Sequence, residues 1–187
     1  MTRIVAGKAK GRILHVPKSG TRPTSERVRE ALFSRLEHYG YLADCAVLDL
    51  FAGSGALAFE ALSRGAQSAV CVEMNSAAAK VINDNARTLG FNTTVINQKV
   101  QTYLESRIVN QKYDLVFIDP PYDLAETALA KVLTALIPFL SQNAMVIVER
   151  AKRAPEPIWP AELVLDDVRK WGDTRVWSAI YGENIDK

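Results

Sequence analysis

From Cys45 onward the apolar and polar positions fall into a repeating rhythm of strand, turn and helix. CAVLDL (45–50) is an apolar run with an acid near its end, and FAGSGALAFEALSRGA turns on glycines into a helix. SAVCVE (68–73) is a second run that ends in an acid, SAAAKVINDNARTLGF has helical spacing, TTVIN is a third strand and VQTYLESRI a helix. YDLVFID (113–119) is a fourth strand, LAETALAKVLTALIPFL a helix broken near Pro138, and NAMVIVER (143–150) a fifth strand. Strands apolar on both faces, alternating with helices, predict a parallel sheet covered by helices. After Pro155, Pro157 and Pro160 the alternation stops. ELVLDDVRKWGDTRVWSAIY reads as two strands meeting at Gly172 and Asp173, a hairpin that closes one sheet edge.

The first forty residues follow a different pattern. Two short β-prone runs, Arg3 to Val5 and Arg12 to Val16, flank a Gly and Lys connection and predict a small ribbon. A helix follows, with Thr24 or Ser25 as its cap, Val28, Leu32 and Leu36 as an apolar stripe joined by Ala31 and Phe33, and Gly40 as its stop. Arg27 and Arg29 fall on this helix, where pairing with Glu26 and Glu30 would make an ordinary surface charge pattern.

Composition narrows the class. The chain has 187 residues, 48% apolar and 24% charged, as in a globular domain. No apolar stretch approaches the roughly 20 residues needed to cross a bilayer, and the start MTRIVAGKAKGR lacks the apolar centre of a signal peptide, so the expected location is cytoplasmic. Cys45 and Cys71 read as reduced core residues, and His15 and His38 stand without partners at metal-ligand spacing, so no metal is expected. The net charge is +2, yet residues 1–30 hold eight basic side chains against two acidic ones. A basic arm on a mildly acidic body is the asymmetry of a chain that places polyanion contacts in one segment, although a solvated basic face has the same signature.

Ligands of open α/β sheets bind beyond the carboxyl ends of the strands. Asp49, Glu73 and Asp119 all fall at or next to such ends. Gly53 and Gly55 allow a tight turn into a helix N-terminus, but a dinucleotide fingerprint needs a third glycine where Ala58 stands. Asp49 would repel a pyrophosphate and suits an ammonium, while Glu73 can accept from two ribose hydroxyls. A ligand with a ribose, an amino-acid ammonium and no phosphate satisfies both: S-adenosylmethionine. After the third strand, Lys99 and Val100 stand where an acid or amide often meets the adenine amine, so a backbone contact from Val100 is expected instead.

DPPY (119–122) supplies the acceptor chemistry. An exocyclic base amine is a poor nucleophile because its lone pair is delocalised into the ring. Hydrogen bonds from its two N–H groups to the Asp119 carboxylate and the Pro120 carbonyl would favour a pyramidal nitrogen aimed at the methyl group. Pro120 and Pro121 fix φ and stiffen the turn, and Tyr122 offers a face for base stacking. Such a base must be flipped out or in a loop.

DPPY resembles the signature of amino-group methyltransferases acting on adenine N6, cytosine N4 or guanine N2, and VLDLFAGSGAL resembles their cofactor motif. End to end, with RIVAGKAKGRILHVP and RPTSERVREALFSRL at its start, the chain resembles the bacterial ribosomal RNA small-subunit methyltransferase D family. That resemblance implies a Rossmann-like class I fold with a seven-stranded, mostly parallel sheet, a basic N-terminal extension over residues 1–40 and a methyltransferase unit over 41–187. It implies guanine N2 of 16S ribosomal RNA, in a partly assembled small subunit, as the substrate of a monomeric enzyme. By the same resemblance Asp49, Phe51, Ala52, Gly53, Gly55, Glu73 and Val100 would hold cofactor, and Asp119, Pro120, Pro121 and Tyr122 the acceptor. Arg3, Lys8, Lys10, Arg12, Arg22, Thr24 and Arg27 would face RNA, with Thr24 or Arg27 also approaching the cofactor's methionine end. Two rivals share parts of the pattern: a DNA or RNA adenine-N6 methyltransferase, disfavoured on DNA by the lack of a sizeable target-recognition domain, and a non-catalytic ribosome assembly factor. A nicotinamide oxidoreductase is disfavoured by Asp49 and the missing glycine.

Overall fold

In the computed structural model, residues 2–17, 25–106 and 109–182 are described. Strands β1 (Thr2–Arg3) and β2 (Ile13–Leu14) pair antiparallel, Thr2 with Leu14 and Arg3 with Ile13, so the expected ribbon forms over a shorter span than its apolar runs suggested. Helix α1 (Glu26–His38) starts at Ser25, whose side chain accepts the Val28 N–H at 3.2 Å; the alternative cap, Thr24, lies outside the described residues. The body then runs β3 (Ala46–Leu50), α2 (Ala56–Ser63), β4 (Ser68–Val72), α3 (Ser76–Leu89), β5 (Thr93–Ile96), α4 (Val100–Ser106) and β6 (Tyr113–Ile118). It continues through α5 (Glu126–Leu136), a 3-10 turn at Ile137–Phe139, β7 (Leu140–Ala151), β8 (Leu163–Trp171) and β9 (Thr174–Tyr181). Pro138 explains the end of α5, because a proline in a helix interior removes a backbone donor.

The seven long strands form one sheet in the order β5-β4-β3-β6-β7-β9-β8. The first five are parallel to one another, while β9 runs antiparallel between β7 and β8 as the C-terminal hairpin. Helical crossovers explain why β3, β4, β6 and β7 are apolar on both faces. Val47, Leu115, Phe117 and Ile147 pack with residues of α1, α2 and α3 on one side. Leu48, Leu50, Val116, Ile118 and Val148 pack with Tyr103 of α4 and Leu129, Val132 and Leu133 of α5 on the other. Each fully buried aliphatic or aromatic side chain contributes about 1.5–3 kcal/mol. No described helix is long and apolar enough to cross a membrane, and both cysteines are free and buried.

Strand β8 carries a bulge: Leu165 opposes Ala179 and Asp167 opposes Ser178, which leaves Asp166 as the extra residue. In a regular strand consecutive side chains point to opposite faces. The extra residue lets neighbouring acids face one way. Arg35 of α1 therefore meets both, with Nη2 3.2 Å from Asp166 and Nη1 bonded to Asp167.

One charge cluster corrects the sequence reading. Arg29 is fully buried rather than part of a surface pattern with Glu26 and Glu30. It stands one turn before Phe33 on the inward face of α1, so its guanidinium points under the ribbon. Its Nη1 donates to Thr2 Oγ1 at 3.0 Å, its Nη2 to the Arg3 carbonyl at 2.6 Å, and its Nε lies 4.0 Å from Glu60 Oε2. Glu26 pairs with Arg3 and Glu30 with Arg64. Glu60, in the middle of α2 and fully buried, also accepts the Val5 and Ala6 N–H groups at 2.8 and 3.0 Å and Arg64 Nε at 2.9 Å. Further along the ribbon, Ser63 Oγ donates to the Ala6 carbonyl and accepts the Ala9 N–H, while Asn85 of α3 bonds both backbone groups of His15. The N-terminal segment is thus fastened to α1, α2 and α3 by polar contacts as well as by buried Ile4 and Leu14.

Candidate active site

Chain connections from β3 run toward β4 and β5, whereas those from β6 run toward β7. The strand order reverses between β3 and β6, which opens a crevice at their carboxyl ends. Asp49 lies opposite Cys71 of β4 and Phe117 of β6. It is 1% exposed, and its Oδ2 accepts the Ala58 N–H in the first turn of α2 at 3.3 Å. Burial pushes its pKa up to about 7; the Ala58 hydrogen bond opposes the shift and the nearby Glu73 charge adds to it.

Beyond Leu50 the backbone is left-handed at Phe51 (φ 61°), Gly53 (57°) and Gly55 (76°). Three such residues in five curl the chain back over the strand ends. Ala52 N donates to the Val72 carbonyl at 3.1 Å, Gly53 N to Glu73 Oε2 at 2.8 Å and Gly55 N to the Ala52 carbonyl at 2.7 Å. Glu73 Oε1 takes the Asn75 N–H at 2.8 Å. Glu73 therefore shapes the glycine turn, and each of its oxygens has a second lone pair for a ligand hydroxyl. A Cβ on Gly55 would come within 2.8 Å of Phe59 Cε2 and 3.2 Å of Ile82 Cγ2, at a φ that L side chains rarely adopt. Gly55→Ala should therefore lose about 1–3 kcal/mol of stability, read as a lower urea midpoint at constant m.

On the other side of the crevice, Asp119 follows β6 directly and is half-buried; Pro120 is buried, Pro121 exposed and Tyr122 56% exposed. A turn closes from the Leu124 N–H to the Pro121 carbonyl at 3.0 Å before α5 begins. An acid, a rigid carbonyl and an open aromatic ring thus stand beside the glycine turn. Val100 begins α4 with its side chain buried, and Lys99 is exposed. Among the described residues no group of three or more His, Cys, Asp or Glu could hold a metal ion. A separate cavity of about 210 Å³, lined by Leu32, Arg35, Tyr41 and Asp166, lies between α1 and the hairpin and contains none of these groups.

The basic residues are gathered elsewhere. Helices α2 and α3 lead away from the crevice, so their C-terminal ends mark the opposite rim of the sheet. Lys8 N donates to the Ser63 carbonyl, Lys8 Nζ lies 5.0 Å from the Phe91 ring centre, and Arg12 Nη2 is 3.5 Å from the Thr88 carbonyl. Exposed Lys8, Lys10 and Arg12 consequently cluster at that far rim. Arg3 is exposed and paired with Glu26 at 3.0 Å, and Arg27 is exposed on α1. Arg22 and Thr24 lie outside the described residues. Two residues at the crevice escaped the sequence reading. Asn97 bridges the Glu73 and Met74 carbonyls at 2.8 and 3.0 Å, and Arg150, at the end of β7, reaches the loop after Asp119. Arg150 carries the same kind of signal as Glu73 and Asp119, a charge closing an apolar run.

Comparison with known proteins adds to this geometry. Residues 2–180 match the model of a family described as "Conserved hypothetical protein 95". The chain is 40% identical over 159 residues to "Ribosomal RNA small subunit methyltransferase D" of Haemophilus influenzae, covering 82% of this chain and 80% of that protein. It is similar to the solved structure of Escherichia coli yhhF, with TM-score 0.82 and 33% identity over 96% of this chain and 97% of that one. SMU.776, solved in complex with SAH, shares the fold at 17% identity, with TM-score 0.67 over 82% of this chain and 48% of its own.

Proposed function

The chain belongs to the ribosomal RNA small subunit methyltransferase D family, and from that premise we propose that it methylates the exocyclic N2 of a guanine in small-subunit ribosomal RNA. The observation that carries this reading is the convergence of Asp49, Glu73 and Asp119 at the carboxyl ends of the neighbouring strands β3, β4 and β6, around one glycine turn.

The donor set fits S-adenosylmethionine. Two carboxylates would repel a diphosphate but match an ammonium and ribose hydroxyls, and they flank a backbone curl at a helix N-terminus. When bound, this cofactor supplies an electrophilic methyl group on a sulfonium. Asp49 would face the ammonium and Glu73 would accept from the ribose, while Phe51, Ala52, Gly53 and Gly55 would shape the backbone against the ligand, with Val100 beyond the third strand. The Asp119 carboxylate and the Pro120 carbonyl accept the two amine N–H groups and hold the nitrogen lone pair in line, while Tyr122 stacks on the flipped base. As the N–C bond formed and the donor's S–C bond broke, with its electron pair going to sulfur and S-adenosylhomocysteine as the leaving group, Asp119 would stabilise the positive charge developing on nitrogen, and the surplus proton would leave to Asp119 or water.

The substrate proposed is a partly assembled small subunit in the cytoplasm, acted on by a monomer. The ribbon cations Arg3, Lys8, Lys10 and Arg12, with Arg27, hold phosphates away from the target base and set affinity rather than chemistry.

Asp49 makes the cofactor step pH-dependent. Its folded pKa of about 7 lies above its ordinary 3.8, so the stability conferred by its neutral form is complete below that value and lost as pH rises through about 7. An ammonium ligand prefers the ionised form. Cofactor affinity should therefore rise about fivefold from pH 6 to 7, below the range where the ligand's own amine deprotonates. Titration calorimetry should find proton release on binding, and Asp49→Asn should flatten the profile.

The assignment is tested by methyl transfer from labelled S-adenosylmethionine to unmodified small subunits, naked small-subunit RNA and duplex DNA, followed by nucleoside analysis. Label in N2-methylguanosine is the expected result. Label in N6-methyladenine would overturn the guanine assignment, and no label in any substrate would overturn the enzymatic one.

A further inference from the structure

We propose that Arg150 is a positioning residue for methyl transfer, holding the acceptor loop in shape from beneath. This inference rests on the role given above to Asp119 and Pro120. Arg150 is 4% exposed and lies at the carboxyl end of β7, on the sheet face that carries α5. Its Nη1 donates to the Pro121 carbonyl at 3.3 Å, and its Nη2 donates to the Leu124 carbonyl at 2.8 Å and to Glu126 Oε1 at 2.7 Å. One guanidinium therefore spans the loop from its second proline to the first residue of α5.

The loop's sequence explains why a cation is needed there. Pro120 and Pro121 have no backbone N–H, so the segment just after Asp119 offers carbonyls but few donors to anchor it. The Ala125 cap contributes no side-chain bond to the start of α5 either. Arg150 supplies donors in a planar fork that can serve several acceptors at once, and Glu126 balances its buried charge. The Pro121 carbonyl takes both Arg150 and the Leu124 N–H, so the guanidinium braces the turn that orients Pro120 and Tyr122. Lysine, with three donors on a flexible stem, cannot reproduce the fork.

The test compares wild type, Arg150→Lys and Arg150→Met for kcat, KM, cofactor Kd and hydrogen exchange of the 119–125 amides. Arg150→Lys, which keeps charge and bulk, is expected to fold and bind cofactor within about twofold of wild type. It should lose about tenfold in kcat, and the Tyr122 to Ala125 amides should exchange about tenfold faster. Arg150→Met should lose about a hundredfold in kcat, the scale of a misplacement near 1 Å, with lysine as the partial rescue. A merely structural role would lower the melting temperature but leave kcat per folded molecule unchanged. Folded Arg150→Lys with wild-type kcat and wild-type exchange at 119–125 would overturn the proposal, whether or not Arg150→Met folds. If wild type methylates no base, the reading of Asp119 fails by itself. Unchanged exchange in Arg150→Lys would then overturn the bracing role, and faster exchange confined to the loop would support it.

Discussion

Asp119→Ala should reduce methyl transfer about a hundred- to a thousandfold while leaving cofactor affinity within about twofold of wild type. The size follows from what is removed. In the proposed mechanism the amine nitrogen gains positive charge as its bond to carbon forms, and Asp119 is the anion aimed at the place where that charge would develop. Interactions of this kind act in the transition state more than in the ground state, so the loss should fall on kcat rather than KM. Asp119→Asn keeps the shape and one acceptor but not the charge, and should fall between alanine and wild type. Single-turnover transfer to small subunits gives the rate, and calorimetry with S-adenosylhomocysteine gives the affinity. An alanine variant that binds cofactor and retains full turnover would remove Asp119 from the mechanism.

The largest expected effect on stability lies away from the crevice. Glu60 is fully buried and accepts from Val5, Ala6 and Arg64, with Arg29 also at 4.0 Å. Glu60→Ala would leave the Val5 and Ala6 N–H groups and Arg64 Nε without their acceptor and remove the carboxylate beside the buried Arg29 guanidinium. Breaking a buried pair by deleting one partner costs about 3–5 kcal/mol. Against a total stability of about 5–15 kcal/mol that is a large share. Urea unfolding should give a lower midpoint, and proteolysis should cut the segment around residues 5–9 first, since its anchors are gone. Glu60→Gln, which still accepts hydrogen bonds, should lose less. An alanine variant within about 1 kcal/mol of wild type would mean that the cluster's desolvation cost cancels its attraction.

The body of the fold was legible because its signals are local and repeated. Apolar runs of strand length alternate with helical spacing from Cys45 to Arg150, and Gly172 and Asp173 mark the hairpin between Trp171 and Thr174. The positions of Asp49, Glu73 and Asp119 at neighbouring strand ends could be read for the same reason, since each stands at or next to the end of such a run. Arg29 could not be read correctly. One charged residue on the buried side of a helix looks like surface until its partners are known, and those come from Thr2, Arg3 and Glu60, up to thirty-one positions away. The ribbon's placement was hidden likewise. Charge counting identified the basic arm, but Lys8 and Arg12 reach the far rim through contacts with Ser63, Phe91 and Thr88 that depend on tertiary packing. The bulge at Asp166 was also invisible, because DD within an apolar strand does not say which acid is the extra residue.

That bulge bears on how the molecule behaves in company. Strand β8 is one of the two edge strands of the sheet, and it presents Val164, Leu165 and Val168 to solvent at 37–39% exposure. An incoming strand from another chain would meet apolar side chains and an outward row of backbone groups there, the ingredients of runaway β-aggregation. The extra residue breaks the hydrogen-bonding repeat in the middle of that margin, and Asp166, Asp167, Arg169 and Lys170 line it with charge. The feature that gives Arg35 its two acids also makes this margin a poor template for another strand.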